Sequence, residues 1–386
     1  MSIVIVQACR TPMGKFQGQW SKTPATDLAS YLIRSLIPHY PCLQDPTGSL
    51  IWGCALNAGL GQAPARQLVQ KSALSHSTPA YTINEVCGSS LRAVIHGYQT
   101  LQSENAPSWV LTGGMENMSL APYMAPRRTT KMGHQSLDDS MIKDGLENFS
   151  DQKLMGQLAD MTAQTYPLSR QDHDSYVLNS WERALQAPRY REIVPYTMAS
   201  GQTLQDDEPL YTVKKDKVPT LPPIFHKTGV LTAAHCSALA DGASCLLLMD
   251  ERQALDHGYQ PLAKIIGWAE HYHQPQDFSV APQKAIQKLC YNLGWPIHKV
   301  DAWEINEAFS LVPLSCIYDL DIPAQRVNMW GGACNIGHPL GTSGSRIVGT
   351  LAHILKDHHL QRGIASLCIG GGGALSIAIE NMEKSL

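Results

Sequence analysis

Four short segments of the chain carry residue types that could together move an acyl group. In Asn84-Glu85-Val86-Cys87-Gly88-Ser89-Ser90-Leu91-Arg92-Ala93, a cysteine stands between a strand pattern and a helix pattern. The strand reads Ala80-Tyr81-Thr82-Ile83, and the helix places Leu91, Val94, Ile95, Tyr98 and Leu101 at spacings of three and four. A thiol at a helix N-terminus faces unpaired N–H groups and the positive end of the dipole, and both favour the nucleophilic thiolate. Gly88 is expected to give the turn room for an unusual backbone angle. The second segment, Asn306-Glu307-Ala308-Phe309-Ser310, follows a strand and opens a helix. The third places His338 in a glycine-dense loop, residues 331–341, and the fourth ends a strand with Cys368-Ile369-Gly370-Gly371. One thiolate can attack a carbonyl carbon while a second group moves the proton of the incoming or leaving species, and neutral donors can hold the oxyanion. Singly, each residue also has a structural reading. Either cysteine can be core, Asn306 a helix cap, and His338 a loop histidine bonded to backbone.

The elements that must bring these groups together need a large core, and 386 residues suffice for two or three domains. Hydrophobic residues make up 44% and charged residues 16%, the balance of a soluble globular protein. A net charge of −3 without a long basic run argues against nucleic acid as a partner. No apolar stretch reaches the roughly 20 residues that span a bilayer. The start, Met1 to Ala8, has no basic region before its apolar run and reads as a strand, not a signal peptide. The ten cysteines are scattered without a CxxC pair, which suggests neither a zinc site nor a disulfide framework and points to the reducing cytoplasm. Cys54, Cys245, Cys290 and Cys316 lie in apolar segments and are expected in the core. Neither GxGxxG nor GxxxxGK[ST] occurs in a strand–turn–helix setting, so the glycines alone do not make a phosphate site.

Strands near 3–8, 50–55, 80–83 and 108–112 alternate with helices, which predicts a parallel-type sheet covered on its faces. Residues 120–240 break this rhythm, with Pro122, Pro126, Arg127, Arg128 and Lys131 in an irregular run and helices near 152–166 and 169–187. Ser169 and Asp172 form a capping pair at the second helix. So long an insertion in a compact protein is expected to be a functional, ordered lobe. The core resumes with strands near 244–249 and 262–268 and then echoes itself. Residues 301–305 resemble 50–54, residues 327–330 resemble the approach to Cys87, and residues 364–371 resemble 110–114, each about 250 residues on. The expected organisation is an N-terminal half of residues 1–119 plus 241–258, an inserted lobe of 120–240, and a C-terminal half of 259–386. All four reactive segments follow strands and would gather at strand C-terminal ends, where open α/β sheets bind ligands.

The motifs together resemble those of the thiolases along nearly the whole chain. Val4-Ile5-Val6 with Arg10-Thr11-Pro12-Met13-Gly14-Lys15-Phe16 is similar to the family's opening. Asn84 to Ala93 is similar to its nucleophile motif and Gly113-Gly114-Met115-Glu116-Asn117-Met118-Ser119 to its next signature. Asn306 to Phe309, Gly337 to Gly341 and Cys368 to Gly372 are similar to its three C-terminal motifs. The resemblance implies a duplicated α/β core layered α-β-α-β-α, with an inserted loop domain that binds coenzyme A. It implies Cys87 as the nucleophile that takes the acyl group and Cys368 as the acid/base at the second acetyl-CoA. His338 and Asn306, the latter through a water, would hold the thioester oxygen, and the N–H groups of Cys87 and Gly370 the acyl-enzyme carbonyl. Ser237, Met155, Ala308 and Phe309 would contact coenzyme A.

The segment from Met132-Gly133 to Leu146 is similar to the loop of acetoacetyl-CoA-forming members. The expected activity is therefore that of an acetyl-CoA C-acetyltransferase working through acetyl-Cys87. A degradative 3-ketoacyl-CoA thiolase of fatty acid β-oxidation is the alternative. A ketoacyl synthase shares the fold but lacks a counterpart of Cys368, and a silent acyl-CoA-binding subunit is the remote case. No permanently bound cofactor is implied, only coenzyme A thioesters as substrates. A homodimer or homotetramer is expected, and association with a β-oxidation partner subunit stays open. The chain departs from the family at Leu154, where a histidine is usual, and at Tyr211, where a DExxR pattern supplies arginine. His235 and Cys236 are also unusual. Lys214, Lys215 and Lys217 could reach coenzyme A phosphates or form a solvated face.

Overall fold

A computed structural model describes residues 2–125, 132, 134–188, 191–198 and 200–382. Pro126, Arg127, Arg128, Lys131 and Gly133 lie outside the described residues. The apolar runs of the first half become strands β1 (Ile3–Arg10), β2 (Ser49–Gly53), β3 (Ala80–Ile83), β4 (Val110–Asn117) and β5 (Ala240–Asp250). They lie in the order β1-β5-β4-β2-β3. The second half contributes β6 (Ala263–Tyr272), β7 (Ala302–Ile305), β8 (Arg362–Ile369) and β9 (Gly373–Asn381), in the order β6-β9-β8-β7. In both halves the first strand is thus followed by the last, then the last but one, then the second. Val4 opposite Lys264 and Ile5 opposite Ala263 join β1 to β6, so the halves share one ten-stranded sheet.

The sheet is mixed, where a parallel-type sheet was expected. β2 runs parallel to β3 and β4, and β7 parallel to β8, but β5 and β9 run antiparallel to both their neighbours. Both kinds of strand are buried on two faces here, so their apolar runs look alike in sequence. The echo also fails at one place. β3 pairs with β2 along four residues, whereas Val327 makes a single bridge to Trp303. Asn328, at φ +49, is the reason: its amide takes the N–H and the C=O of Ile305, groups that a longer strand would pair.

Helices α1 (Ala25–Leu36) and α2 (Pro64–Lys71) cover the outer face of the first half. Helix α3 (Ser89–Leu101) leads out of the cysteine turn, and α4 (Met155–Thr165) and α5 (Arg170–Gln186) belong to the inserted stretch. Helices α6 (Ala281–Leu293) and α7 (Leu311–Leu320) cover the second half. The last helix, α8 (Ser343–Asp357), packs with α3 between the two halves of the sheet, where Leu91, Val94, Ile347 and Leu351 meet Ile51 and Leu367. The result is helix, sheet, helix, sheet, helix in five layers. Ile347 and Leu351 are wholly buried in the middle layer, and each such side chain stabilises the fold by about 1.5–3 kcal/mol. Ser169 and Asp172 form the expected capping box on α5. Arg10 at the end of β1 ties the inserted stretch to the core through buried ion pairs to Glu192 (2.7 Å) and Asp207 (2.6 Å).

Candidate active site

The turn between β3 and α3 presents Cys87, and its strained residue is Val86, at φ +48. Gly88 has ordinary helical angles, φ −76, so its role differs from the one expected of it. It is needed for space, because a Cβ there would lie 2.6 Å from Ile369 Cδ1. A β-branched residue in the left-handed region costs about 1–3 kcal/mol and persists only where its surroundings over-determine it. Here Ser89 Oγ accepts the Glu85 N–H at 2.9 Å and donates to Val86 O at 2.7 Å, while Asn84 Oδ1 accepts the Val86 N–H at 3.1 Å. Arg92, one turn into α3, grips Glu85 through two bonds of 2.7 and 2.9 Å and reaches Glu270 on β6 at 2.6 Å.

The glycine-rich loop of the second half descends onto this turn. A Cβ on Gly114 would lie 2.0 Å from Gly341 O, so only glycine admits the loop so close to β4. Glu116 then fastens it, accepting N–H bonds from Gly341 (2.8 Å), Ala55 (3.0 Å) and Leu56 (3.1 Å). Burial pushes the Glu116 carboxyl up to about 7, against the pull of these donors.

Cys87, His338, Cys368, Gly370, Met155, Ser237, Ala308 and Phe309 line one narrow pocket of about 50 Å³. Asn306 stands behind this wall with Nδ2 3.4 Å from His338 Nε2. The sequence had not singled out Phe278, Leu239 or Leu340 as site residues, though all three line the pocket. They read as ordinary core positions, and only the folded geometry turns them inward. Ser343 was missed as well: its Oγ lies 2.6 Å from His338 Nδ1. The same hydroxyl lies 3.1 Å from Pro339 O, so its one proton goes to the carbonyl or to the ring; when it donates to His338, the imidazole proton is on Nε2, facing the pocket beside the Asn306 amide.

Charge is strongly disfavoured at rest. Burial pushes the Cys87 thiol up to about 12, although N–H groups of Gly370 and Cys87 draw it down. The helix-terminus argument from sequence anticipated N–H donors at this thiol, and the family resemblance the Cys87 and Gly370 groups, but neither anticipated the desolvation that outweighs them. Burial, followed by the Cys87 charge, holds the Cys368 thiol well above its ordinary value. The two sulfurs therefore oppose each other's ionisation, and acylating Cys87 removes that opposition. Burial, aided by the Arg346 cation, pulls His338 down to about 3, so its imidazole is neutral at rest.

The departures around coenzyme A resolve differently. Tyr211 is 65% exposed, and Leu154 begins α4. A second cleft of about 950 Å³ adjoins the first at Ser237 and is lined by Lys214, Lys217, Val218, Leu221 and Cys236. Lys215 lies instead over the Trp181 ring, 5.7 Å from its centroid. His235 is buried; Thr232 N–H donates to its Nδ1, and its Nε2 donates to Asp174 at 2.8 Å. It pins the Ser237 segment to α5. Ser237 N–H in turn donates to Ala308 O at 3.0 Å, fixing the segment to the loop that carries Asn306.

Comparisons with known proteins agree with this architecture. The thiolase N-terminal domain profile matches residues 3–252 and the thiolase C-terminal domain profile residues 259–381. An acetyl-CoA acetyltransferase of Schizosaccharomyces pombe is 39% identical over 98% of the chain and 99% of its own length. A mitochondrial acetyl-CoA acetyltransferase of Homo sapiens is 40% identical over 98% of the chain and 90% of its own length. The Ascaris suum thiolase Acat5, solved in complex with coenzyme A, superposes with a TM-score of 0.93 at 36% identity, covering 99% of this chain and all of that one. With both domain profiles matched across its length, the chain belongs to the thiolase family.

Proposed function

We propose that the protein is an acetyl-CoA C-acetyltransferase that condenses two acetyl-CoA into acetoacetyl-CoA and coenzyme A, reversibly. One observation carries this reading: two thiols, a neutral histidine and the Gly370 N–H share one pocket walled by apolar side chains. Cys87 Sγ attacks the acetyl carbonyl carbon, the carbonyl oxygen is held by the N–H groups of Cys87 and Gly370, and the C–S bond of the thioester breaks. Coenzyme A leaves with the proton of Cys87. A second acetyl-CoA enters, and Cys368 takes a proton from its methyl carbon while His338 and Asn306 stabilise the enolate oxygen. The carbanion attacks acetyl-Cys87, a carbon–carbon bond forms, and the Cys87 sulfur leaves. Cys368 releases its own proton to solvent before it takes the methyl proton, which acetylation permits by removing the competing charge on Cys87, and the Cys87 sulfur takes up a proton from solvent as it leaves. Met155, Ser237, Ala308 and Phe309 contact the pantetheine arm, and Lys214 and Lys217 meet phosphates in the adjoining cleft.

The chemistry needs no permanently bound cofactor. The exposed edge of β3, with Tyr81 45% exposed, supports a homodimer or homotetramer. Scattered, unpaired cysteines support a reducing, cytoplasmic setting. The test is acetoacetyl-CoA formation from acetyl-CoA, together with thiolysis of four-carbon and long-chain 3-ketoacyl-CoA. Preference for the four-carbon substrate is expected, and preference for the longer chain would move the protein to the degradative subclass.

A further inference from the structure

Helix α8 enters the middle layer directly after the His338 loop, and two of its side chains reach toward the donors. Ser343 and Arg346 are one turn apart and so share a face. Ser343 meets His338, as described. Arg346 is 3% exposed, and its Nη2 lies 3.3 Å from Asn306 Oδ1. Its Nη1 lies 3.5 Å from Glu304 Oε2 at the other end, while Glu304 Oε1 has no protein partner. Four buried groups thus form a row: His338, Asn306, Arg346, Glu304.

The row has a direction because a guanidinium carries only donors. The amide of Asn306 must turn its oxygen to Arg346, which leaves its NH₂ facing His338. A spacing of 3.4 Å between Asn306 Nδ2 and His338 Nε2 is long for a direct bond between them. It suits two donors that share a third, accepting atom. If the amide turned over, Oδ1 would face the pocket and repel a developing enolate oxygen.

We propose that Arg346 is a positioning residue for the enolate site, fixing the Asn306 amide so that it can present only its donor side to the reacting oxygen. Arg346 acts on that oxygen through Asn306 and touches no substrate. The inference rests on the acetyltransferase reading, because it needs a step in which an enolate forms. It also separates two half-reactions. Exchange of labelled coenzyme A into acetyl-CoA runs through acetyl-Cys87 and the Cys87 and Gly370 donors alone. Acetoacetyl-CoA formation requires Asn306 and His338 in addition.

The experiment measures both rates in wild type, Arg346→Met and Arg346→Lys. In Arg346→Met, condensation kcat should fall by about 100-fold, the loss typical of removing one oxyanion donor. Exchange and the KM for acetyl-CoA should stay within about threefold, and Arg346→Lys, which restores a donor to Oδ1, should recover part of the condensation rate. Because Arg346→Met leaves Glu304 buried without its cation, the double variant Glu304→Gln/Arg346→Met is measured beside it and should show the same split. Equal falls in exchange and condensation, unchanged condensation, or failure of all three variants to fold would each overturn the proposal. A wild-type protein with neither activity would instead sink the acetyltransferase reading on which it rests.

Discussion

Strands β1 to β5 and strands β6 to β9 are laid in the same order, yet the turns at matching places carry different equipment. In the first half β3 runs as a full strand into a strained elbow, and the elbow offers one sulfur. In the second half Asn328 ends the pairing after a single bridge. The chain there is free to form the glycine-rich loop that brings His338 over that sulfur. Within β4 and at the end of β8 the contrast recurs. Gly113 and Gly114 are places of close approach, whereas Cys368 and Gly370 line the pocket, where the proposed mechanism uses them as an acid/base and an N–H donor. In the proposed mechanism duplication supplies the frame, and departures from it supply the chemistry: a nucleophile on one side, proton transfer and anion stabilisation on the other.

The largest test of this division removes the sulfur that the first half contributes. Cys87→Ala should lower turnover by about 10⁴-fold or more, measured as acetoacetyl-CoA formation. Loss of less than a tenth of that would mean the second half can act alone. Next in size is His338→Ala, which removes a donor of the second half. Condensation should fall by about 10²–10³-fold while labelled coenzyme A exchange survives. If exchange falls equally, the halves do not divide the two steps as described.

A smaller effect is read in stability against pH. Burial holds His338 near 3 and His173 near 4, below the unfolded value of about 6.5. The unfolded chain therefore takes up protons that the folded chain refuses, and stability present above pH 6.5 is lost as pH falls toward those values. Each group contributes a slope of up to about 1.4 kcal/mol per pH unit in that window. Urea midpoints between pH 7 and pH 5 should fall less steeply for His338→Gln than for wild type. Identical slopes would show that His338 titrates normally, as an exposed loop residue would.

The smallest effect belongs to the inserted stretch, which neither half duplicates. Lys214→Ala with Lys217→Ala should raise the KM for acetyl-CoA several-fold without changing kcat, and added salt should shrink the difference. An unchanged KM would return these lysines to the solvated face that the sequence also allowed.

Much of this division was legible before the coordinates. Cys87 and Cys368 stand at strand ends, His338 lies in a dense glycine loop, and the repeated spacing marked the two halves. What stayed hidden depended on desolvation and on backbone detail. Gly88 drew attention as the flexible residue, but the strain sits on Val86, because hydrogen bonds from Asn84 and Ser89 fix the turn one residue earlier. Arg346 sits in a helix where an arginine ordinarily reads as a solvated face, and only the five-layer packing shows that α8 has no such face. The mixed sheet escaped for a related reason, since strands buried on both sides look alike whichever way they run.

In the proposed division of labour the first half carries the acyl group and the second half uses it. Intact-mass measurement after mixing with acetyl-CoA tests it most directly, on wild type, Cys87→Ala and Cys368→Ala. One acetyl adduct is expected on wild type and on Cys368→Ala, none on Cys87→Ala, and no turnover in either variant. An adduct that persists in Cys87→Ala, or one that vanishes in Cys368→Ala, would contradict the division of labour between the halves.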